Sequence, residues 1–350
     1  MKVVVVGASG NAGTGLLRAL RGAAEVTEVV GVARRVPRAR PPEPYDLADW
    51  VAADVAAPDG EAVVSTLESA MQGADAVVHL AWAIQPNHNR ALLRKTNVAG
   101  TARVLNAARR AGVPHVIVAS SVGAYSPAHD DDLHDEVWPV HGIPASEYSV
   151  DKADVEAVLN AFEADNPSVM VTRLRPALIF QRDAGSQMTR YFLGRWMPGS
   201  AFTGRLPVLP WPTGLRLQAV HADDIGHAYL AAIRHSSGGA FNIAADGVLA
   251  ADEVAGVLAG GRWANVPVPA ARAAVSAGWN SRVLPVSPGW IDMGSGAPLM
   301  DTYLARRKLG WAPQYSAQQA LTEVVGGIRD SAGTASPPLR PRTPHRSPSG

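Results

Sequence analysis

Met1-Lys2-Val3-Val4-Val5-Val6-Gly7-Ala8-Ser9-Gly10-Asn11-Ala12-Gly13 is the stretch whose reading decides the fold. Four consecutive valines bounded by glycine read as a short buried parallel strand. Residues 13–21 then place Leu16, Leu17 and Leu20 on one side of a helix. A second apolar run, Val29 to Val32, follows. Strand, glycine loop, helix, strand is the βαβ unit. The glycine spacing G-x-x-G-x-x-G gives each glycine a physical task. Gly7 permits a tight exit from the strand, Gly10 lets the backbone approach a pyrophosphate, and Gly13 lets the helix pack close to the sheet. The helix N-terminus adds free N–H groups and a partial positive charge for phosphates.

The alternation continues outward. Strands are expected at Trp50 to Asp54, Ala76 to Leu80, Val113 to Ser120 and Val169 to Leu174. Helices are expected at 60–72, Asn97 to Ala111 and Tyr148 to Ala164. The reading is an α/β fold, a Rossmann-type doubly wound parallel sheet. Residues 1–176 form the dinucleotide-binding domain, completed by about 216–246. Residues 177–332 form a smaller interleaved C-terminal substrate lobe, over the sheet's carboxyl edge. Within it, 180–215 shows no period, Val220 to Ile233 returns to strand then helix, and 250–260 and 315–328 look helical. Residues 333–350, rich in Pro, Ser and Arg with almost no apolar residues, are expected to be a disordered tail.

Bulk properties exclude several function classes. The 350 residues carry 32 basic and 31 acidic side chains, a net charge of +1, so no concentrated basic field points to nucleic acid or an anionic membrane. There is no cysteine, which removes disulfides, thiolate catalysis and Cys-based metal centres. The run Val3 to Val6 is shorter than a signal-peptide core. No stretch approaches the roughly 18 to 20 apolar residues that span a bilayer. A cytoplasmic protein acting on a small-molecule substrate is expected, with neither nucleic acid nor membrane as partner.

The second strand ends Val32-Ala33-Arg34-Arg35. An acidic residue there would bind the 2′-hydroxyl of NAD(H); two arginines suit a 2′-phosphate, so the reading favours NADP(H) over NAD(H). Asp54, at the end of the next strand, can accept from an adenine amino group or serve as an ordinary loop aspartate. Tyr148-Ser149-Val150-Asp151-Lys152 puts a phenol and an ammonium at i and i+4, on one helix face. A fixed cation favours the phenolate and lowers a pKa that is ordinarily near 10. Tyr148 can then exchange a proton with a substrate oxygen while hydride moves to or from the cofactor. Val116 to Ser121 is a strand ending in two hydroxyls, Ser120 and Ser121, either of which can orient that oxygen.

With these elements in place, the chain resembles the extended short-chain dehydrogenase/reductase family, the NAD-dependent epimerase/dehydratase type. The matching motifs run in order from the Gly7/Gly10/Gly13 loop through Ala53-Asp54-Val55, Asp75 to Ala81, Thr96 to Thr101 and Ser120 to Tyr125. Tyr148-x-x-x-Lys152, Arg175-Pro176, Val220 to Asp224, Phe241-Asn242-Ile243 and Leu309-Gly310-Trp311-x-Pro313 complete the series. The resemblance implies a catalytic triad of Ser121, Tyr148 and Lys152, with Ser121 rather than Ser120 as the active hydroxyl. Lys152 would hold the nicotinamide ribose. Cofactor contacts are implied at Gly7, Ser9, Gly10, Asn11, Ala12, Gly13, Arg34, Arg35, Asp54, Val55, Leu80, Ala81, Trp82, Asn97, Ala119, Tyr148, Lys152 and Pro176. A homodimer through helices flanking the site is a common family arrangement.

Some features depart from that pattern or stand outside it. Trp82 takes the place of a usually small residue and either narrows the pocket, stacks on a substrate or fills the core. Asn97 either faces the cofactor or is satisfied by backbone. The segment Leu215 to Val220 lacks the Arg-Asp pair common in nucleotide-sugar enzymes, which counts against a nucleotide-sugar substrate, and Arg205 and Arg216 either bind an anion or, as the reading favours, are solvated surface residues. The acidic loop His129 to Glu136 reads as solvated, with no metal site. Asp223 or Asp224 is expected to cap the helix that starts there. Trp196, Trp211 and Trp290 either line the substrate lobe or fill its core. The rival to an enzyme is a non-catalytic dinucleotide-binding regulator on the same fold.

Overall fold

The computed structural model describes residues 1–85, 88–193 and 206–341. Trp196, Arg205 and residues 342–350 lie outside the described residues.

Seven parallel strands form the central sheet: β1 (Lys2–Val6), β2 (Glu28–Ala33), β3 (Asp49–Ala52), β4 (Ala76–His79), β5 (His115–Ala119), β6 (Met170–Pro176) and β7 (Gly239–Ile243). Their order across the sheet is β7-β6-β5-β4-β1-β2-β3, so the chain starts in the middle and winds out both ways. β1 explains the unbroken valine run. Val3 and Val5 pack into the layer of Leu16, Leu17 and Tyr229, while Val4 and Val6 pack into the layer of Leu67, Val104 and Leu159. A strand covered on both faces has no polar side to show.

Helices α1 (Asn11–Arg21) and α2 (Gly60–Met71) follow their strands as expected. The helix expected at Asn97 to Ala111 is broken: a π turn, Lys95–Ala99, precedes α3 (Gly100–Arg110). Next come α4 (Glu147–Asp165) and α5 (Ala222–His235). α1 and α5 cross at glycines. A Cβ on Gly15 would overlap the Ala222 carbonyl, and one on Gly226 the Gly15 carbonyl. The N-cap of α5 is His221, whose side chain accepts from the Asp223 N–H, and not Asp223 or Asp224. Those two carboxylates are engaged elsewhere, Asp223 by Arg18 and Asp224 by the Gln314 and Tyr315 N–H groups.

Beyond β6 the chain builds small parallel pairs, Leu178–Phe180 with Ala219–His221 and Leu209–Pro212 with Trp263–Val266. Leu209, Trp211, Leu249, Val254, Leu321 and Val324 share a core there. The helix Val268–Asn280 buries no residue, and α6 (Gly289–Gly296) reaches back to α4.

Residues 333–341, expected to be disordered, are packed. Leu339 and Ser336 are fully buried. Ser336 Oγ donates to the Ser9 carbonyl at 2.5 Å, Thr334 Oγ1 and the Tyr45 hydroxyl lie 2.7 Å apart, and Arg190 donates to the Arg340 carbonyl at 3.0 Å. One buried leucine and a set of hydrogen bonds offset the ordering entropy that composition alone left uncompensated. Among the described residues no helix is long and apolar enough to cross a membrane.

Candidate active site

Gly7 leaves β1 with φ +96°, and a Cβ there would stand 2.6 Å from the Ala81 nitrogen, so the loop lies flat on the Leu80–Ala81 backbone. Gly10 caps α1 with no side-chain hydrogen bond. That leaves a backbone-only surface at a helix N-terminus, which fits the pyrophosphate of a dinucleotide. Asn11 is tied to the second lobe: its Nδ2 donates to the Ile179 carbonyl at 2.9 Å, and Gln181 donates to its Oδ1 at 2.5 Å. Ser9 is buried and Ala12 half-buried. Arg34 and Arg35 stand exposed just beyond β2. Asp54 Oδ1 accepts from the Ala56 N–H at 3.0 Å, a local turn, and the Val55 carbonyl accepts from Arg103 at 2.7 Å.

The three residues expected to do chemistry come together at the carboxyl end of β5. The Tyr148 hydroxyl donates to Ser121 Oγ at 3.1 Å. Ser120, its sequence rival, is turned away and donates to Glu156 at 2.5 Å. Lys152 is buried and donates to the Ala119 carbonyl at 2.8 Å. Its ammonium does not point at the phenol; it sits 3.5 Å from the centroid of the Trp82 ring and 5.9 Å from that of Tyr148. The expected lowering of the phenol pKa is therefore not what this arrangement produces. Burial pushes Tyr148 up to about 12, against a small opposing effect of the Ser121 hydrogen bond. Burial likewise pushes Lys152 down to about 7, although Glu156 and Asp151 pull the other way.

Aromatic rings close the site. Trp82 meets Tyr148 edge-on at 5.7 Å, Trp290 lies 5.1 Å from Tyr148, and Phe192 packs edge-on against Trp290 at 5.1 Å. The gap beside Tyr148, lined by Ala83, Asn97, Asp151 and Trp290, holds about 10 Å³, room for about one water. A cavity of about 750 Å³ lies on the other face of α6, against Asp292, Ser295, Trp211, Leu215 and Trp263. Asn97 is buried and satisfied by the chain itself: its Oδ1 accepts from the Ala83 N–H at 2.8 Å and its Nδ2 donates to the Ala83 carbonyl at 3.0 Å. It therefore pins the residue after Trp82. Pro176 ends β6, buried, beside Arg175.

Behind the triad lies a polar network the sequence reading missed. Glu156 takes a forked hydrogen bond from Arg175 at 2.8 and 3.1 Å, and a further one from Arg173 at 3.2 Å. Arg175 also donates to the Tyr125 hydroxyl at 2.9 Å, which donates to Asn242 at 2.6 Å. Burial alone would raise the Glu156 pKa; the Arg175 and Ser120 bonds hold it below the usual carboxylate range. Position 156 falls one turn beyond Lys152 on the same face of α4, so helical spacing was the available signal. In the loop 129–136, Asp131 pairs with Arg216 and Asp130 with His134. Trp211 is core, its Nε1 donating to the Leu215 carbonyl.

A parallel sheet wound outward from β1, a glycine loop at its carboxyl edge and a Ser-Tyr-Lys cluster beside it define a dinucleotide-fold protein. The model of the NAD dependent epimerase/dehydratase family matches residues 3–244, and the chain belongs to that family. Among relatives, it is 29% identical over 336 residues to the uncharacterized protein Rv2047c of Mycobacterium tuberculosis, covering 95% of this chain and 31% of that one. The chain thus spans about a third of the length of that relative. It is 31% identical over 229 residues to the 2′-dehydrokanamycin reductase of Streptomyces kanamyceticus, covering 65% of this chain and 56% of the reductase. Among solved structures, DesIV (dTDP-glucose 4,6-dehydratase) from Streptomyces venezuelae with NAD and TYD bound superposes with a TM-score of 0.68 at 21% identity, covering 97% of this chain and 100% of that one. MoeE5 in complex with UDP-glucose and NAD gives 0.67 at 22%, covering 95% and 99%. These two likenesses concern the fold.

Proposed function

We propose that this chain is an NADP(H)-linked enzyme that transfers hydride at a hydroxyl or carbonyl of a small molecule, with Tyr148 as acid/base. The observation that carries the reading is the 3.1 Å hydrogen bond from Tyr148 to Ser121 at the carboxyl end of β5. A bound nicotinamide dinucleotide would supply the hydride donor or acceptor. Tyr148 delivers a proton to the substrate oxygen, or removes one, and Ser121 orients that oxygen. Lys152 would hold the nicotinamide ribose. Moved next to the phenol, its charge would favour the phenolate; from 5.9 Å off the ring centroid it leaves Tyr148 at about 12, where burial puts it. Carbonyl reduction has the added support of the reductase relative. The 2′-phosphate preference rests on Arg34 and Arg35, exposed at the end of β2 with no acidic residue beside them.

Tyr148→Phe keeps the ring and removes the proton. Turnover should fall by about 10²-fold or more with the NADPH Kd unchanged; retained turnover removes Tyr148 from the chemistry. A second reading, a dinucleotide-binding regulator without turnover, draws on the closed gap of about 10 Å³ beside Tyr148. It predicts no hydride transfer to any carbonyl in a screen, from a protein that binds NADPH.

A further inference from the structure

We propose that Trp82 is a gate on the nicotinamide end of the cofactor site: its indole covers the face of Lys152 that a cofactor ribose would take, and docking must swing it out. The inference rests on the reading of Lys152 as the ribose-holding residue.

Two surfaces enclose the Lys152 ammonium. The Ala119 carbonyl accepts from it at 2.8 Å, and the Trp82 ring lies over it at 3.5 Å. Lys152 is only 3% exposed, so no open direction is left for a hydroxyl to approach it. Any ligand that hydrogen-bonds Nζ has to replace one of these two partners. The carbonyl belongs to β5 in the middle of the sheet and is fixed. The indole is the movable partner.

The backbone on both sides of Trp82 is held. Ala81 lies under Gly7, and Ala83 is bound through both its N–H and its carbonyl by Asn97. Motion is therefore confined to rotation of the side chain, which is half-buried and has solvent on one side. The closed position is also imperfect: the indole Nε1 is buried with no hydrogen-bond partner. A buried donor without an acceptor is a penalty that leaving would relieve. The cation–π contact over a desolvated ammonium opposes departure. The gate is thus a balance between one favourable and one unfavourable contact, and a ligand that replaces the ring on Lys152 tips it.

The test compares two nucleotides on the full chain. NADPH carries the nicotinamide ribose; adenosine 2′,5′-bisphosphate carries only the adenine half. Trp82→Ala should bind NADPH about tenfold more tightly than wild type, the cation–π contact no longer having to be broken. Adenosine 2′,5′-bisphosphate should bind both proteins equally. Trp82→Phe keeps an aromatic face on Lys152 and should fall between, which also covers the case of an Ala variant that folds poorly. Equal or weaker NADPH binding by the variants, with the half-nucleotide unchanged, overturns the gate. No binding of either nucleotide by wild type or variants overturns the functional reading, and the gate with it.

Discussion

Ser120 and Glu156 are joined by a 2.5 Å hydrogen bond, so two adjacent hydroxyls at the end of β5 serve different turns of α4. Ser121 faces Tyr148, where the proposed reaction would place the substrate oxygen; Ser120 helps hold a buried carboxylate. Ser121→Ala should lower kcat by about 10²-fold, the usual effect of losing one oxyanion-type donor, and should also cost about 1–3 kcal/mol, since the Tyr148 hydroxyl and the Gly123 N–H both lose their acceptor. Ser120→Ala should leave kcat within a few-fold and cost about 1–3 kcal/mol, since Glu156 loses a donor in a buried site. Steady-state kinetics on both variants check this, with urea denaturation to show that both fold; a kcat loss in the Ser120 variant and not in the Ser121 variant would reassign the hydroxyls.

Gly123 makes room for the ring of Tyr148, the proposed acid/base. A Cβ there would stand 2.9 Å from Tyr148 Cε1 and 3.1 Å from Met293 Sδ. Gly123→Ala should push the phenol off Ser121 and lower kcat about tenfold or more, since small misplacements of a reacting group are costly. The glycine loop follows β1, two strands across the sheet from β5, so NADPH affinity should hold. Wild-type kcat would show that the ring tolerates the methyl group.

Much of this arrangement was legible in the sequence. The valine run, glycine spacing and Leu16/Leu17/Leu20 stripe expose the βαβ unit because both faces of β1 are buried. Tyr148 and Lys152 share a helix face, and that too is a matter of spacing. Their detailed relation is not, because it depends on Trp82, which lies in the segment after β4, far from α4 in sequence, and draws the ammonium to itself. The helix Val268–Asn280 left no periodic trace because none of its residues is buried. The ordering of residues 333–341 turns on single hydrogen bonds to Ser9 and Tyr45, far off in sequence, which composition does not register.

Arg34 is exposed at the strand end where a 2′ substituent would arrive, and its neighbour Arg35 is equally so. Arg34→Ala should weaken NADPH binding about tenfold and NADH binding hardly at all, a difference read directly from two titrations. Equal losses for both cofactors would mean that the arginine acts only as general surface charge.

Lys152 has a consequence for stability as well as chemistry. Its pKa is pushed down to about 7 by burial, against an ordinary value near 10.4 in the unfolded chain. Between those values the unfolded chain binds the extra proton, so stability rises with pH across that interval. The penalty of burying the ammonium is full below about pH 7 and fades toward pH 10. Lys152→Met removes the titration. Relative to wild type, the variant should gain most near pH 6, and the gain should shrink steadily toward pH 10. Denaturant midpoints across that range give the slope. A difference that does not change with pH would mean that the folded lysine keeps its ordinary proton affinity, with the Trp82 face and the Ala119 carbonyl together offsetting the loss of water.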